Sequence, residues 1–132
     1  MSNINFLAVI IATFVNIAVG SLWYSKLMFA NTWMKLTGKS MSDMKGANKS
    51  MAIMGLVSLI EAYFLSVVIH NFGSTGLSGG VKTAILVWFG FIVTTRSSDV
   101  LFEQRPAKLY QIHIAYQFVA FVLMGAVLSL IG

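Results

Sequence analysis

An all-α integral membrane bundle of four transmembrane helices is the fold class this sequence predicts, and three observations carry the prediction. Of the 132 residues, 58% are hydrophobic and 10% charged, whereas soluble domains run near half apolar and about a quarter charged. Mean hydropathy is +0.83, which leaves too little polar surface to coat a soluble core. The apolar residues also fall in four long runs, close to the ~20 residues that a helix needs to cross the hydrocarbon.

The spans lie at roughly 4–24, 51–70, 80–98 and 109–131, in one transmembrane domain covering residues 1–132. The first resembles a secretory signal loosely, through the small residues Ala18-Val19-Gly20. No Lys or Arg stands in Met1 to Asn5, however, and the apolar stretch exceeds a signal core, so it is expected to stay as a span. After it, Lys26 to Leu36 puts Phe29, Trp33 and Leu36 on one helical face, as in an interfacial helix; Trp23, Tyr24, Phe29 and Trp33 are its expected anchors at headgroup level. Lys39 to Ser50 is polar and expected to meet water. The second span runs from Met51, and a glycine-rich turn, Asn71 to Gly80, follows it without a phosphate-binding pattern. The third apolar run, Val81 to Thr95, is the shortest. It reaches full length if the helix starts near Gly79 and passes Arg96, with Lys82 and Arg96 reaching to opposite interfaces. The fourth run, Leu109 to Ile131, needs no extension.

Orientation follows from the basic residues, because short cytoplasmic loops are enriched in Lys and Arg. Connection one holds Lys26, Lys35, Lys39, Lys45 and Lys49, and connection three holds Arg96, Arg105 and Lys108, which is eight of the nine. Both termini are therefore expected outside, in a multi-pass protein of the cytoplasmic (inner) membrane. The net charge of +5 forms no extended patch, so membrane lipids rather than nucleic acid are the expected partners. With four short helices to enclose any site, a homo-oligomer is expected. Zero cysteines exclude disulfides, thiolate metal ligands and a cysteine nucleophile.

Three motifs stand in order along the chain: Gly20-Ser21-Leu22-Trp23-Tyr24-Ser25 with Phe29 and Trp33, then Trp88-Phe89-Gly90-Phe91, then Phe102-Glu103-x-Arg105 ahead of Ile112-x-x-x-Tyr116. Together they resemble a bacterial four-helix membrane-protein family, domain of unknown function 1761. The resemblance implies four membrane helices and no established reaction. It also marks His113 as standing where Asn is common and Gln117 where His is common, and leaves Glu61 outside the family pattern.

Polar residues at membrane depth are the candidate site. Glu61 lies nine residues from both Ala52 and His70, hence ~14 Å from either end of its span at about 1.5 Å per residue. Asn16 is eight residues from Tyr24 and Gln117 eight from Leu109, each ~12 Å deep by the same rise. Asn16, Glu61 and Gln117 thus share one layer, with His113 about a turn nearer the cytoplasm. Ionisable groups there are costly and often functional: Glu61 would exchange a proton or hold a cationic solute, with Asn16 and Gln117 as neutral ligands. Alternatively the layer is glue between helices, with a neutral Glu61 donating to Asn16 or Gln117.

Arg96, Asp99 and Glu103 are spaced i, i+3, i+7 and share a face if the third helix persists to Arg105 before Pro106. Arg105 and Lys108 would complete a cytoplasmic charged cluster, read as a gate, an anionic-lipid site or a self-neutralising helix end. The stripes Ala8, Ala12, Asn16, Gly20 and Gly55, Ser58, Ala62, Ser66 are expected packing faces. His70 and His113 show no metal-ligand spacing and no nucleophile elbow occurs, so neither a metal, a cofactor nor catalysis is expected, although Glu61 and His113 would be the acid and base of an enzyme. Transport of a proton, small cation or proton-coupled solute is the leading functional expectation; its rival is a membrane scaffold binding lipid or a partner protein.

Overall fold

The computed structural model describes residues 4–25, 27–38, 47–72, 76–104 and 106–131, and every regular element among them is helical. In chain order these are α1 (Phe6–Trp23), α2 (Ala30–Thr37), α3 (Ala47–Phe72), α4 (Gly76–Leu101) and α5 (Ala107–Ile131). Helix α1, the Ala52–Phe72 part of α3, α4 and α5 are each long and apolar enough to cross a bilayer. The chain is an all-α membrane protein with four candidate spans, and α2 is the short helix expected after the first of them. Lys26, Lys39, Lys45 and Arg105 lie outside the described residues.

Side-chain and glycine chemistry sets the helix ends. Asn5 Oδ1 accepts from the N–H groups of Leu7 (3.0 Å) and Ala8 (3.3 Å), satisfying two of the donors that a helix start leaves open. Its Nδ2 donates to the Ile131 carbonyl at 3.1 Å, so a single residue ties the start of α1 to the end of α5. Helix α2 stops at Gly38, whose φ of 73° is left-handed and lets its N–H close on the Met34 carbonyl. Helix α4 ends at Leu101 rather than continuing to Arg105: the chain turns through Gln104, with φ of 57°, before the Pro106 carbonyl accepts the first bonds of α5. The face expected to hold Arg96, Asp99 and Glu103 is cut short by that turn. Arg96 and Asp99 keep their i, i+3 pairing at 3.7 Å, and Glu103 lies beyond the helix.

Helix α5 is the hub, antiparallel to both α1 and α4, while α3 is held mainly by α1. The core is built from Ala8, Val9 and Ala12 of α1, Ala62, Leu65 and Ile69 of α3, Ala84 of α4 and Ala120, Phe121, Met124 and Leu128 of α5. Alanine at so many of these positions lets helices approach in a solvent where apolar side chains gain nothing by leaving lipid. At Gly80 and Gly125 the approach is closest. A Cβ on Gly80 would stand 2.7 Å from the Gly125 carbonyl oxygen, and one on Gly125 would stand 2.8 Å from the Gly80 carbonyl oxygen. Large apolar side chains cover the outside, such as Phe14 and Leu86, 67% and 72% exposed, as expected of a lipid-facing surface.

Towards its other end α4 loosens into a π-helical stretch, Trp88–Val93. Here aromatic groups space α4 from α5. The Trp88 indole N–H donates to the Ile114 carbonyl at 2.7 Å, its ring meets Phe118 edge-on at 4.9 Å, and the Tyr110 hydroxyl donates to the Val93 carbonyl at 2.9 Å. Such π-stretches recur at functional sites.

Candidate functional site

Asn16, on the buried stripe of α1, is 2% exposed and joins three helices. Its Nδ2 donates to Glu61 Oε1 at 3.4 Å, and its Oδ1 accepts from the Tyr116 hydroxyl. Gly20 makes room for this: a Cβ there would lie 3.1 Å from that hydroxyl. The result is a line of hydrogen-bonded groups, Glu61–Asn16–Tyr116, running from α3 through α1 to α5.

Beside this line Tyr24, the residue that ends α1, is hydrogen-bonded through its hydroxyl to His113 Nδ1, and its ring meets that of Tyr116 edge-on at 5.6 Å. Trp23 turns the other way, donating its indole N–H to the Ile112 carbonyl at 3.1 Å and packing on Phe29 at 5.1 Å.

Three cavities adjoin these groups. Tyr24, Trp33 and Met54 face Arg96, His113, Tyr116 and Gln117 across about 450 Å³. A second cavity, of about 310 Å³, shares Tyr24, Met54 and Tyr116 with the first and extends along Asn16, Gly20, Gly55 and Ser58. The third, also about 310 Å³, is an apolar groove between α3, α4 and α5 with Glu61 in its wall beside Val57, Ile60, Phe64, Val87 and Phe121.

The residues of the expected midplane layer are therefore divided. Glu61 and Asn16 meet directly. Gln117 and His113 instead line the largest of these cavities with Arg96, and the Gln117 amide oxygen is buried without a hydrogen-bond partner among the described residues. Glu61 and His113 are bonded to different partners, Asn16 and Tyr24. The four expected anchors each contact the bundle: Trp23, Tyr24 and Phe29 as above, and Trp33 in the cavity wall. Arg96, placed with a solvated cluster by its sequence neighbours, reaches the same cavity; Asp99 is its ion-pair partner, and Arg105 is outside the described residues.

Residues of all three motifs converge here, with Gly20, Trp23 and Tyr24 against Ile112, His113 and Tyr116, and Trp88 against Ile114. Residues 7–129 match the family described as "Protein of unknown function (DUF1761)". The chain belongs to that family. No curated protein and no solved structure matches it.

Sequence reasoning passed over Tyr116 as a site residue in this DUF1761 protein. A tyrosine reads as an aromatic core residue, yet its place next to Gln117 and four residues after Ile112 in the third motif was a usable signal. Trp88 was likewise read only as a landmark. Its hydrogen bond to a main-chain carbonyl on another helix leaves no trace in side-chain patterns.

Proposed function

We propose that this protein is a proton-linked carrier of a small solute, with Glu61 as the group that takes up and gives up the proton, Asn16 as its partner and Tyr116 as the next link. The observation that supports the reading is the Glu61–Asn16–Tyr116 line. An acid at the centre of a membrane helix costs ~2.5–3.5 kcal/mol on insertion scales, and such residues commonly mark solute and proton pathways. Among the described residues, the hydrogen bond to Glu61 comes from a neutral amide and not from a cation, so no fixed partner holds its charge.

A bare divalent cation suits the site poorly. Calcium and magnesium take about six or more oxygen ligands, and no group of three His, Cys, Asp or Glu side chains gathers among the described residues. A homo-oligomer fits the reading, because a second copy packed on the groove beside Glu61 would close it.

The test is proton-driven uptake into liposomes, beside thermal stability in detergent. Glu61→Gln is expected to keep the fold and abolish flux, and Glu61→Asp to retain part of it. Full flux in Glu61→Gln would end the proposal, and specific association with lipid or itself without any flux would favour a scaffold.

We also infer the orientation, with both termini outside the cytoplasmic membrane, from the bias of Lys and Arg. Exposed Lys35 and Asn71 fall on opposite sides in this arrangement. Lys35→Cys is expected to be shielded from an impermeant thiol reagent in intact cells and Asn71→Cys to react; the reverse pattern would invert the orientation.

A further inference from the structure

The cavity that Arg96 and Trp33 share does not include Glu61, and its chemistry can be read without reference to proton coupling. We propose that it is a binding site for a small organic monoanion with a flat apolar body, an aromatic carboxylate being the simplest.

The charge comes from Arg96. Its ion-pair partner, Asp99, stands 3.7 Å away with the guanidinium side chain 41% exposed, whereas a charge-assisted hydrogen bond closes to ~2.7–2.9 Å. A planar fork of N–H donors held so loosely has capacity left for a carboxylate, whose two oxygens match it. Asp99 does not line the cavity. One guanidinium in the wall suits one negative charge.

The apolar body is specified by the other walls. Tyr24 and Tyr116 have their hydroxyls committed, to His113 and Asn16 respectively, so what remains for an occupant is mainly ring surface. Trp33 and Met54 extend that surface. Flat and polarisable groups stack on such walls. The volume of about 450 Å³ lies within the range of small-molecule sites, ~300–1,000 Å³, which are mostly apolar with a few polar groups.

Benzoate and its neutral counterpart benzyl alcohol separate charge recognition from simple partitioning. In nanodiscs of zwitterionic lipid, benzoate is expected to change the intrinsic fluorescence saturably, and Trp33→Phe to remove most of the change. Benzyl alcohol should bind at least tenfold more weakly. Arg96→Gln should weaken benzoate tenfold or more, and Arg96→Lys less. Equal binding of benzoate and benzyl alcohol by the native chain would overturn the proposal whatever the variants do. So would unchanged affinity in Arg96→Gln, or a response that appears only with anionic phosphatidylglycerol in the disc, which would make the occupant a lipid headgroup.

Discussion

At the end of the bundle where Asn5 meets Ile131, α4 and α5 touch backbone to backbone at Gly80 and Gly125; at the opposite end Trp88 and Tyr110 hold the same two helices apart. The first contact works by removing side chains, and close approach is its whole benefit. The second works by inserting large rings whose polar ends bond to main-chain carbonyls. A helical carbonyl has a second lone pair beyond the one used in its own helix, so Trp23, Trp88 and Tyr110 can each fasten to a neighbouring helix without unwinding it. Fastening at a distance leaves space between helices. The cavity lined by Tyr24, Arg96, His113 and Gln117 occurs at that end, and the π-helical stretch of α4 stops three residues before Arg96.

The contrast breaks most visibly at Gly125. Overpacking a core costs ~1–3 kcal/mol and occasionally more, and here the obstacles are the Gly80 carbonyl oxygen at 2.8 Å and the Ala84 Cβ at 2.9 Å, neither the far end of a flexible side chain. Gly125→Leu is expected to sit at or beyond the top of that range, with a large fall in Tm in detergent or loss of folded protein. Gly55 is the internal comparison: it is also a helical glycine, but a Cβ there meets nothing within 4 Å. Gly55→Ala should unfold at or slightly above the native temperature, since removing a helical glycine gains roughly 0.5–1 kcal/mol. Equal damage at both positions would mean that the α4–α5 crossing is not the tight one.

Legibility in the sequence follows the same division. The spans were readable because hydrophobicity and length are properties of single segments, and the stripe Ala8, Ala12, Asn16, Gly20 was readable because small residues four apart share a helix face. Counting rise per residue put Asn16 and Glu61 at a common level, and those two side chains do meet. What depth does not give is rotation about each helix axis. Gln117 is one residue from Tyr116 and both line the cavity with Arg96, yet that ~100° step gives the tyrosine hydroxyl to Asn16 and leaves the Gln117 amide oxygen without a hydrogen-bond partner among the described residues. Arg96 itself was assigned by its sequence neighbours Asp99 and Glu103. The turn at Gln104, which takes Glu103 off the helix, is a left-handed conformation at a non-glycine residue, which sequence patterns rarely announce.

The smaller effect is expected at Trp88, and it sharpens the comparison by dividing ring from hydrogen bond. Trp88→Phe keeps an aromatic ring that can face Phe118 and removes only the N–H that reaches the Ile114 carbonyl. That carbonyl retains its second lone pair and its place in α5, so the loss should resemble one ordinary hydrogen bond, ~1 kcal/mol, or the ~0.6 kcal/mol average for polar contacts between membrane helices. Trp88→Leu removes the ring as well and should cost roughly a further 0.5–1.5 kcal/mol from the lost aromatic pair. Thermal unfolding of both variants in one detergent orders them, and hydrogen exchange across residues 88–93 locates the change, with faster exchange expected there and not at Gly80. If Trp88→Phe were as damaging as Gly125→Leu, the aromatic end would be as intolerant as the glycine end. The open spacing would then be a consequence of rigid packing rather than of fastening by side-chain hydrogen bonds.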